Sequence, residues 1–149
     1  MSGSARKTSY NEEYATFFEG ELVGEADIVY RFAYACTLDE KASFECVQKV
    51  YKNMVKDLPS LVEKSSNEMR RRLLEESYEI LKSEKEKGSG KNKLDNFLKG
   101  LDKRERICLI MVEIGGIYPS ECSDMLELEE IEVRKALASA RAKLVNFGN

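Results

Sequence analysis

The stretch YPSECSDMLELEEIEVRKALASARAKL, residues Tyr118–Leu144, predicts two helices joined by a tight turn. Pro119 suits the first position of a helix, where its missing backbone N–H leaves no hydrogen bond unmade. One side of that helix is apolar and consists of Cys122, Met125 and Leu126. The second helix repeats apolar residues with the period of a helix face, at Val133, Leu137, Ala140 and Leu144. Two amphipathic helices across a short turn predict a helix-turn-helix.

One more helix is predicted immediately before this pair. Asp102 can cap its N-terminus, and Glu105 follows three residues later in the arrangement of a capping box. The apolar face of the helix consists of Ile107, Ile110, Met111 and Ile114. Gly115 and Gly116 end it, because glycine is favoured just beyond a helix C-terminus. The sequence therefore predicts a compact three-helix unit here.

The first half of the chain predicts three amphipathic helices, from about Asn11 to Cys36, from Ala42 to Leu58 and from Ser66 to Ser83. Their apolar residues recur at helical spacing. They are Val29, Phe32, Ala33 and Cys36 in the first helix, Phe44, Val47, Tyr51, Met54 and Leu58 in the second, and Leu74, Tyr78 and Leu81 in the third. Pro59 ends the second of these helices.

The segment 83–92 loses this periodicity and is rich in Lys, Glu, Gly and Ser. Such a composition is typical of a flexible tether. The sequence therefore predicts an all-α protein made of two small helical domains joined by a flexible linker. The expected boundaries are a disordered tail at 1–10, a helical domain at 11–82, the linker at 83–100 and a helix-turn-helix domain at 101–149.

Three consecutive arginines, Arg70–Arg72, have the composition of a nucleic-acid patch. However, Arg71 and Arg72 each have a glutamate four residues later, at Glu75 and Glu76. Opposite charges at this spacing face each other on a helix. We therefore expect ion pairs within the helix.

The composition argues against an enzyme. The chain contains no histidine, so Ser-His and Cys-His pairs are impossible, and no glycine-rich phosphate loop follows a strand pattern. The four cysteines, at 36, 46, 108 and 122, have no C-x-x-C spacing and predict buried, reduced thiols rather than a metal site. The longest apolar run, Ile107–Val112, is too short to cross a bilayer. We expect a cytoplasmic protein with no cofactor, no metal and no membrane partner.

Several features of the second half follow one known pattern. The first is LDKRER at Leu101–Arg106, followed by a helix that ends in EIGG at Gly116. The others are the single residues Glu121 and Leu126 and the stretch VRKALASARAKL at Val133–Leu144. In these features the second half resembles the fourth conserved region of bacterial RNA polymerase sigma factors, in particular the small extracytoplasmic-function group. The resemblance implies a helix-turn-helix whose last helix contacts promoter DNA. The residues it assigns to DNA are Arg134, Lys135, Arg141 and Lys143.

The helix FECVQKVYKNM, Phe44–Met54, resembles the part of the second sigma region that grips the polymerase core. Gln48, Val50 and Tyr51 match the usual glutamine, valine and aromatic positions, and Glu45 stands where an aspartate is common. The resemblance implies RNA polymerase core as a partner. The implied polymerase-binding residues are Glu45, Gln48, Lys49, Tyr51 and Lys52.

The chain departs from the sigma pattern at the proposed DNA surface. Glu127 replaces the usual turn glycine and Glu129 the usual capping Ser or Thr, while Ala136 and Ser139 replace two arginines of the last helix. Affinity for duplex DNA depends mainly on the neutralisation of phosphates by Lys and Arg. The segment 59–83 also has Tyr78 as its single aromatic residue, although stacking on aromatic side chains holds single-stranded DNA.

These observations leave three functions open. The first is a sigma-factor-like transcription initiation protein that binds core RNA polymerase and promoter DNA. The second is a DNA-binding-deficient sigma mimic or regulator that binds an anti-sigma factor or the polymerase. The third is a helical scaffold without any link to the polymerase.

Overall fold

The computed structural model describes residues 18–86 and 93–147, and every regular element within them is helical. The α-helices in this part of the chain are α1 (Ala26–Thr37), α2 (Glu40–Val55), α3 (Leu58–Leu61), α4 (Ser66–Leu81), α5 (Lys93–Lys99), α6 (Lys103–Leu109), α7 (Pro119–Leu126) and α8 (Glu130–Phe147). The predicted all-α class is confirmed. The predicted tail 1–10, the start of the predicted first helix at 11–17, and 87–92 of the predicted linker lie outside the described residues.

The described part of the first predicted helix starts with tighter and wider turns and ends at Thr37, one residue beyond the predicted end. A π-helical turn at Phe18–Leu22 and a 3₁₀ turn at Val23–Glu25 precede α1. After α1, Leu38 takes a left-handed conformation with a φ of 51°. Asp39 then caps α2 by accepting a hydrogen bond from the backbone N–H of Ala42 at 2.9 Å. This cap makes α2 begin two residues before the predicted start.

The buried face of α2 differs from the predicted face. The sequence predicts Phe44 in the core, but its side chain is 60% exposed, with its ring centroid 5.0 Å from that of Tyr30. The buried residues of α2 are Ser43, Cys46, Val50, Tyr51 and Met54. Ser43 can occupy a core position because its hydroxyl donates a hydrogen bond to the Asp39 carbonyl at 2.7 Å.

The predicted ion pairs on α4 are confirmed. Arg71 Nε lies 2.9 Å from a Glu75 carboxylate oxygen, and Arg72 pairs with Glu76 at 3.3 Å. The guanidinium of Arg70 has a different role. It donates to the Glu25 carboxylate and, at 2.8 Å, to the Gly115 carbonyl of the second half.

The linker prediction missed a helix. Within the predicted linker 83–100, residues 93–99 form α5, and Phe97 and Leu98 on it are buried. They pack in a small apolar cluster with Leu38, Leu101, Leu109 and Ala140, apart from the main core. The local composition predicts a tether, but contacts with distant parts of the chain stabilise a helix here.

The start of α6 follows the sequence closely. Asp102 and Glu105 form the predicted capping box, in which each side chain accepts a hydrogen bond from the backbone N–H of the other. α6 continues into a π-helical turn at Ile110–Ile114. Gly115 is required there, because a β-carbon would lie 2.7 Å from the carbonyl oxygen of Met111.

α7 and α8 are joined by a turn of three residues, 127–129, as the opening stretch predicts. Pro119 begins α7 as predicted, and Glu127 ends it in a left-handed conformation with a φ of 56°. Val133, Leu137 and Ala140 form the buried face of α8, whereas Leu144, predicted on the same face, is half exposed.

One apolar cluster runs through both halves of the described chain. Phe32 on α1 and Leu73 and Leu74 on α4 belong to the same cluster as Met111 and Leu137 in the second half. The four cysteines are buried free thiols, as predicted, and burial raises the pKa of Cys36 to about 12. Among the described helices, none has both the length and the apolar character needed to span a membrane.

Candidate partner-binding surfaces

Three of the four cations that the resemblance assigns to DNA are paired with carboxylates of the same chain. Arg134 lies 2.8 Å from Glu130, one turn earlier on α8. Arg141 forms an ion pair with Glu113, which lies in the π-helical turn after α6. These pairs neutralise charge that a phosphate would otherwise meet.

The third pair involves the last basic residue of α8. Lys143 Nζ lies 2.9 Å from Glu105 Oε1 at the start of α6. Lys135 is exposed, and no carboxylate lies within ion-pair distance of it among the described residues. Lys135 is therefore the one member of the predicted DNA-binding set that keeps an unpaired charge in the described structure.

Glu105 joins α6 to α8 from a buried position. Its carboxylate accepts hydrogen bonds from the Ser139 hydroxyl, the Asp102 backbone N–H and the Lys143 ammonium group. Burial alone would raise the pKa of this carboxyl, but the three donors outweigh it and lower the pKa to about 2. Of the two positions where the sigma pattern has arginines, Ala136 is buried, and the hydroxyl of the exposed Ser139 donates to Glu105.

The N-terminal end of α8 is acidic. Glu130 and Glu132 lie in its first turn, where negative charge is favoured by the helix dipole. Glu132 also pairs with Arg104 at 3.0 Å. These carboxylates stabilise the start of the helix, but their negative charge would repel a DNA phosphate.

Four of the five predicted polymerase-binding residues lie together on the exposed side of α2. Glu45, Gln48, Lys49 and Lys52 are all exposed at helical spacing. Tyr51, the fifth predicted residue, does not lie on this exposed side: its side chain is buried and its hydroxyl donates to the Leu22 carbonyl at 2.6 Å. Tyr51 therefore stabilises the packing of α2 against the turns that precede α1. A partner that binds the exposed side of α2 would not reach its ring.

An apolar groove of about 780 Å³ opens between the two halves. Its walls come from α1, α5, α6 with the π-helical turn, and the end of α8. Its apolar lining residues are Tyr30, Tyr34, Phe97, Leu98, Leu109, Ile110, Ile114, Leu144 and Val145. Acidic and basic side chains at the rim include Asp27, Glu40, Glu113 and Arg141. Grooves of this size and apolar character are typical of ligand or peptide sites.

The sequence prediction missed this groove. Its residues come from four separated segments, and no single segment shows a pattern that differs from an ordinary amphipathic helix. One local signal existed: Ile114 and Leu144 are large apolar residues at the ends of their predicted stripes, and both are about half exposed at the groove.

Comparison with known proteins shows a likeness in fold. No protein-family model matches the chain, and no curated protein matches it. A solved structure of the sigma factor RpoE in complex with the anti-sigma factor NepR from Bartonella quintana is similar, with a TM-score of 0.63 and 14% sequence identity. The match covers 89% of this chain and 96% of that chain. The fold is therefore sigma-factor-like across nearly its whole length.

Proposed function

We propose that this protein is a sigma-factor-like transcription regulator that binds an anti-sigma factor through the groove and does not read promoter DNA. The observation that carries the proposal is the pairing of the α8 cations. Arg134, Arg141 and Lys143 each contact a carboxylate of the chain itself. The paired carboxylates place negative charge beside these cations, and neutralisation of phosphates by Lys and Arg supplies a large share of the affinity for duplex DNA.

The groove supplies a surface for a protein partner. An amphipathic helix that lays its apolar side into a groove is a common mode of recognition. Exposed apolar side chains such as Ile114 and Leu144 would be covered by such a helix. The likeness to a sigma factor that was solved with its anti-sigma factor makes an anti-sigma helix the occupant of choice.

A second candidate function is binding to the RNA polymerase core through α2. The exposed residues Glu45, Gln48, Lys49 and Lys52 favour it, because they form one face and make no ion pair within the described structure. This candidate is compatible with a regulator that competes for the polymerase. Co-elution of the full chain with core polymerase, repeated with Lys49→Glu, tests it: the variant should lose the complex, and equal retention would contradict the assignment.

The anti-sigma proposal is tested by calorimetric titration with NepR from Bartonella quintana as the probe. The wild-type chain should form a complex. Ile114→Lys, in the groove, should weaken it by about tenfold or more, as expected for an apolar contact at an interface centre. Ile131→Lys is the matched control, because Ile131 is similarly exposed but lies outside the groove. Absence of a wild-type complex, or equal loss in both variants, would contradict the proposal.

A further inference from the structure

The buried side chain of Arg106 connects three segments of the chain. Arg106 is 1% exposed, and it is among the largest fully buried side chains in the described structure. Its Nε donates to the Ala35 carbonyl of α1 at 2.6 Å. Its Nη1 donates to the Leu101 carbonyl at 2.7 Å and, more weakly, to the Leu98 carbonyl at 3.4 Å.

Each of these carbonyls lies at or just beyond the C-terminal end of a helix. Carbonyl groups at a helix end lack a partner within the helix and carry the negative end of its dipole. One guanidinium from α6 therefore satisfies the ends of both α1 and α5. These helices and α6 supply three of the walls of the groove.

Among the residues that the structure describes, the carboxylate that forms an ion pair with Arg106 is that of Glu86. Glu86 lies after α4, in the predicted linker, and is partly exposed. Removal of the partner of a buried cation strongly destabilises the folded protein, because the charge stays buried without compensation. Loss of the Glu86 carboxylate would therefore be expected to weaken the other Arg106 contacts.

α5 depends on these contacts more than the other walls do. Its buried residues Phe97 and Leu98 pack in the small cluster and not in the main core. The ring of Phe97 also lies 5.0 Å, between centroids, from that of Phe147 at the end of α8. A short helix held by a few apolar contacts opens at lower free energy than the core around it.

We propose that Arg106 is a positioning residue that assembles the groove, and that the Arg106–Glu86 pair gates it by holding α5 in place as a wall. When Glu86 is withdrawn, α5 detaches and the groove loses Phe97 and Leu98. Glu86, which lies outside the groove, thus controls partner binding through Arg106 and α5. The part of this inference that concerns binding rests on the proposed function of the groove.

The test uses the full chain with Glu86→Gln, and with Glu84→Gln as the matched control. Glu84 is a nearby exposed carboxylate whose side chain makes no ion pair within the described structure. Glu86→Gln should speed amide exchange at Gly100 and Leu101 by about tenfold or more, because the negative charge that balances the buried Arg106 is lost. Exchange in α4 should not change, and Glu84→Gln should match the wild type throughout. Unchanged exchange at Gly100 and Leu101 would overturn the proposal.

Titration with NepR then separates the gate from the proposed function. If the wild type binds NepR, Glu86→Gln should bind it several-fold more weakly, and equal affinity would overturn the gate. If the wild type does not bind NepR, the proposed function fails, while the exchange experiment still decides whether Arg106 and Glu86 hold α5.

Discussion

Lys143 Nζ lies 2.9 Å from Glu105 Oε1, so the last basic residue of α8 contacts a carboxylate of the capping box at the start of α6. This pair joins the two ends of the C-terminal half. It also places a carboxylate beside one of the cations that the resemblance assigns to DNA.

Glu105 should make stability dependent on pH. Its pKa is lowered to about 2 in the folded protein, below the ordinary value of 4.5. Its contribution is therefore complete above about pH 4.5 and is lost as the pH falls toward 2. Glu105→Gln should cost about 1–3 kcal/mol of unfolding free energy at neutral pH. The difference from wild type should shrink as the pH falls through this window, as measured by urea unfolding. A difference independent of pH would contradict the assignment, and Glu63→Gln, an exposed carboxylate, serves as the control.

Glu127→Gly should stabilise the protein. Glu127 has a φ of 56°, a conformation that costs a non-glycine residue about 1–2 kcal/mol. Because glycine also loses more entropy on folding, the net gain should be about 0.5–1 kcal/mol. Glu127→Gln changes the charge but keeps the β-carbon, so it should give no such gain. Thermal unfolding of both variants decides this, and equal stability of the two would show that charge, not backbone conformation, dominates.

Tyr51→Phe should reduce stability without removing a partner surface. The hydroxyl of Tyr51 donates to the Leu22 carbonyl, and the loss of this buried hydrogen bond should cost about 0.5–1.5 kcal/mol. Lys52→Ala, one position further on the exposed side, should stay within about 0.5 kcal/mol of wild type. The measurement is the unfolding free energy in urea. A wild-type-like Tyr51→Phe would show that the buried hydrogen bond contributes nothing.

The two halves should unfold together, although the domain boundaries predicted from the sequence suggest independent units. Met111 is fully buried in the cluster that also contains Phe32 and Leu73 of the first half. Met111→Ala should cost about 2–5 kcal/mol. Amide exchange should become faster in α1 and α4 as well as in α6, because the free energy of unfolding falls for both halves. Loss confined to 101–149 would instead support two independent domains.

Unmasking one cation of α8 should raise affinity for DNA. Glu113→Gln frees Arg141 from its carboxylate partner. The variant should bind duplex DNA more tightly than wild type at low salt, and the gain should vanish as salt is raised. Glu63→Gln removes the same charge far from α8 in sequence and should not produce the gain. If both variants behave alike, net charge and not the Arg141–Glu113 pair controls DNA affinity.

Local signals predicted local structure well. The Asp102–Glu105 capping box, the Pro119 helix start and the ion pairs of α4 involve residues only a few positions apart, and all are present. These features depend on side chains that meet within one helical turn, so a single sequence is enough to predict them.

Features that depend on distant contacts could not be predicted. α5 is stabilised as a helix because Phe97 and Leu98 pack with Leu38 and Ala140, which lie far away in the sequence. The hydrogen bond from the Tyr51 hydroxyl to the Leu22 carbonyl likewise joins two residues that lie far apart in the sequence. The groove has the same origin, since no single segment forms it. In both the fold and the candidate site, these features depend on tertiary packing, which the hydrophobic periodicity of a single sequence does not reveal.

The central claim is that this sigma-like protein does not read DNA, and the salt dependence of its affinity for duplex DNA tests it most directly. Fluorescence anisotropy with the full wild-type chain should show no appreciable binding at roughly 50 or 200 mM salt. Tight binding at the lower concentration that falls steeply at the higher one would contradict the claim. Arg134, Lys135, Arg141 and Lys143 would then serve as a phosphate-binding surface after all.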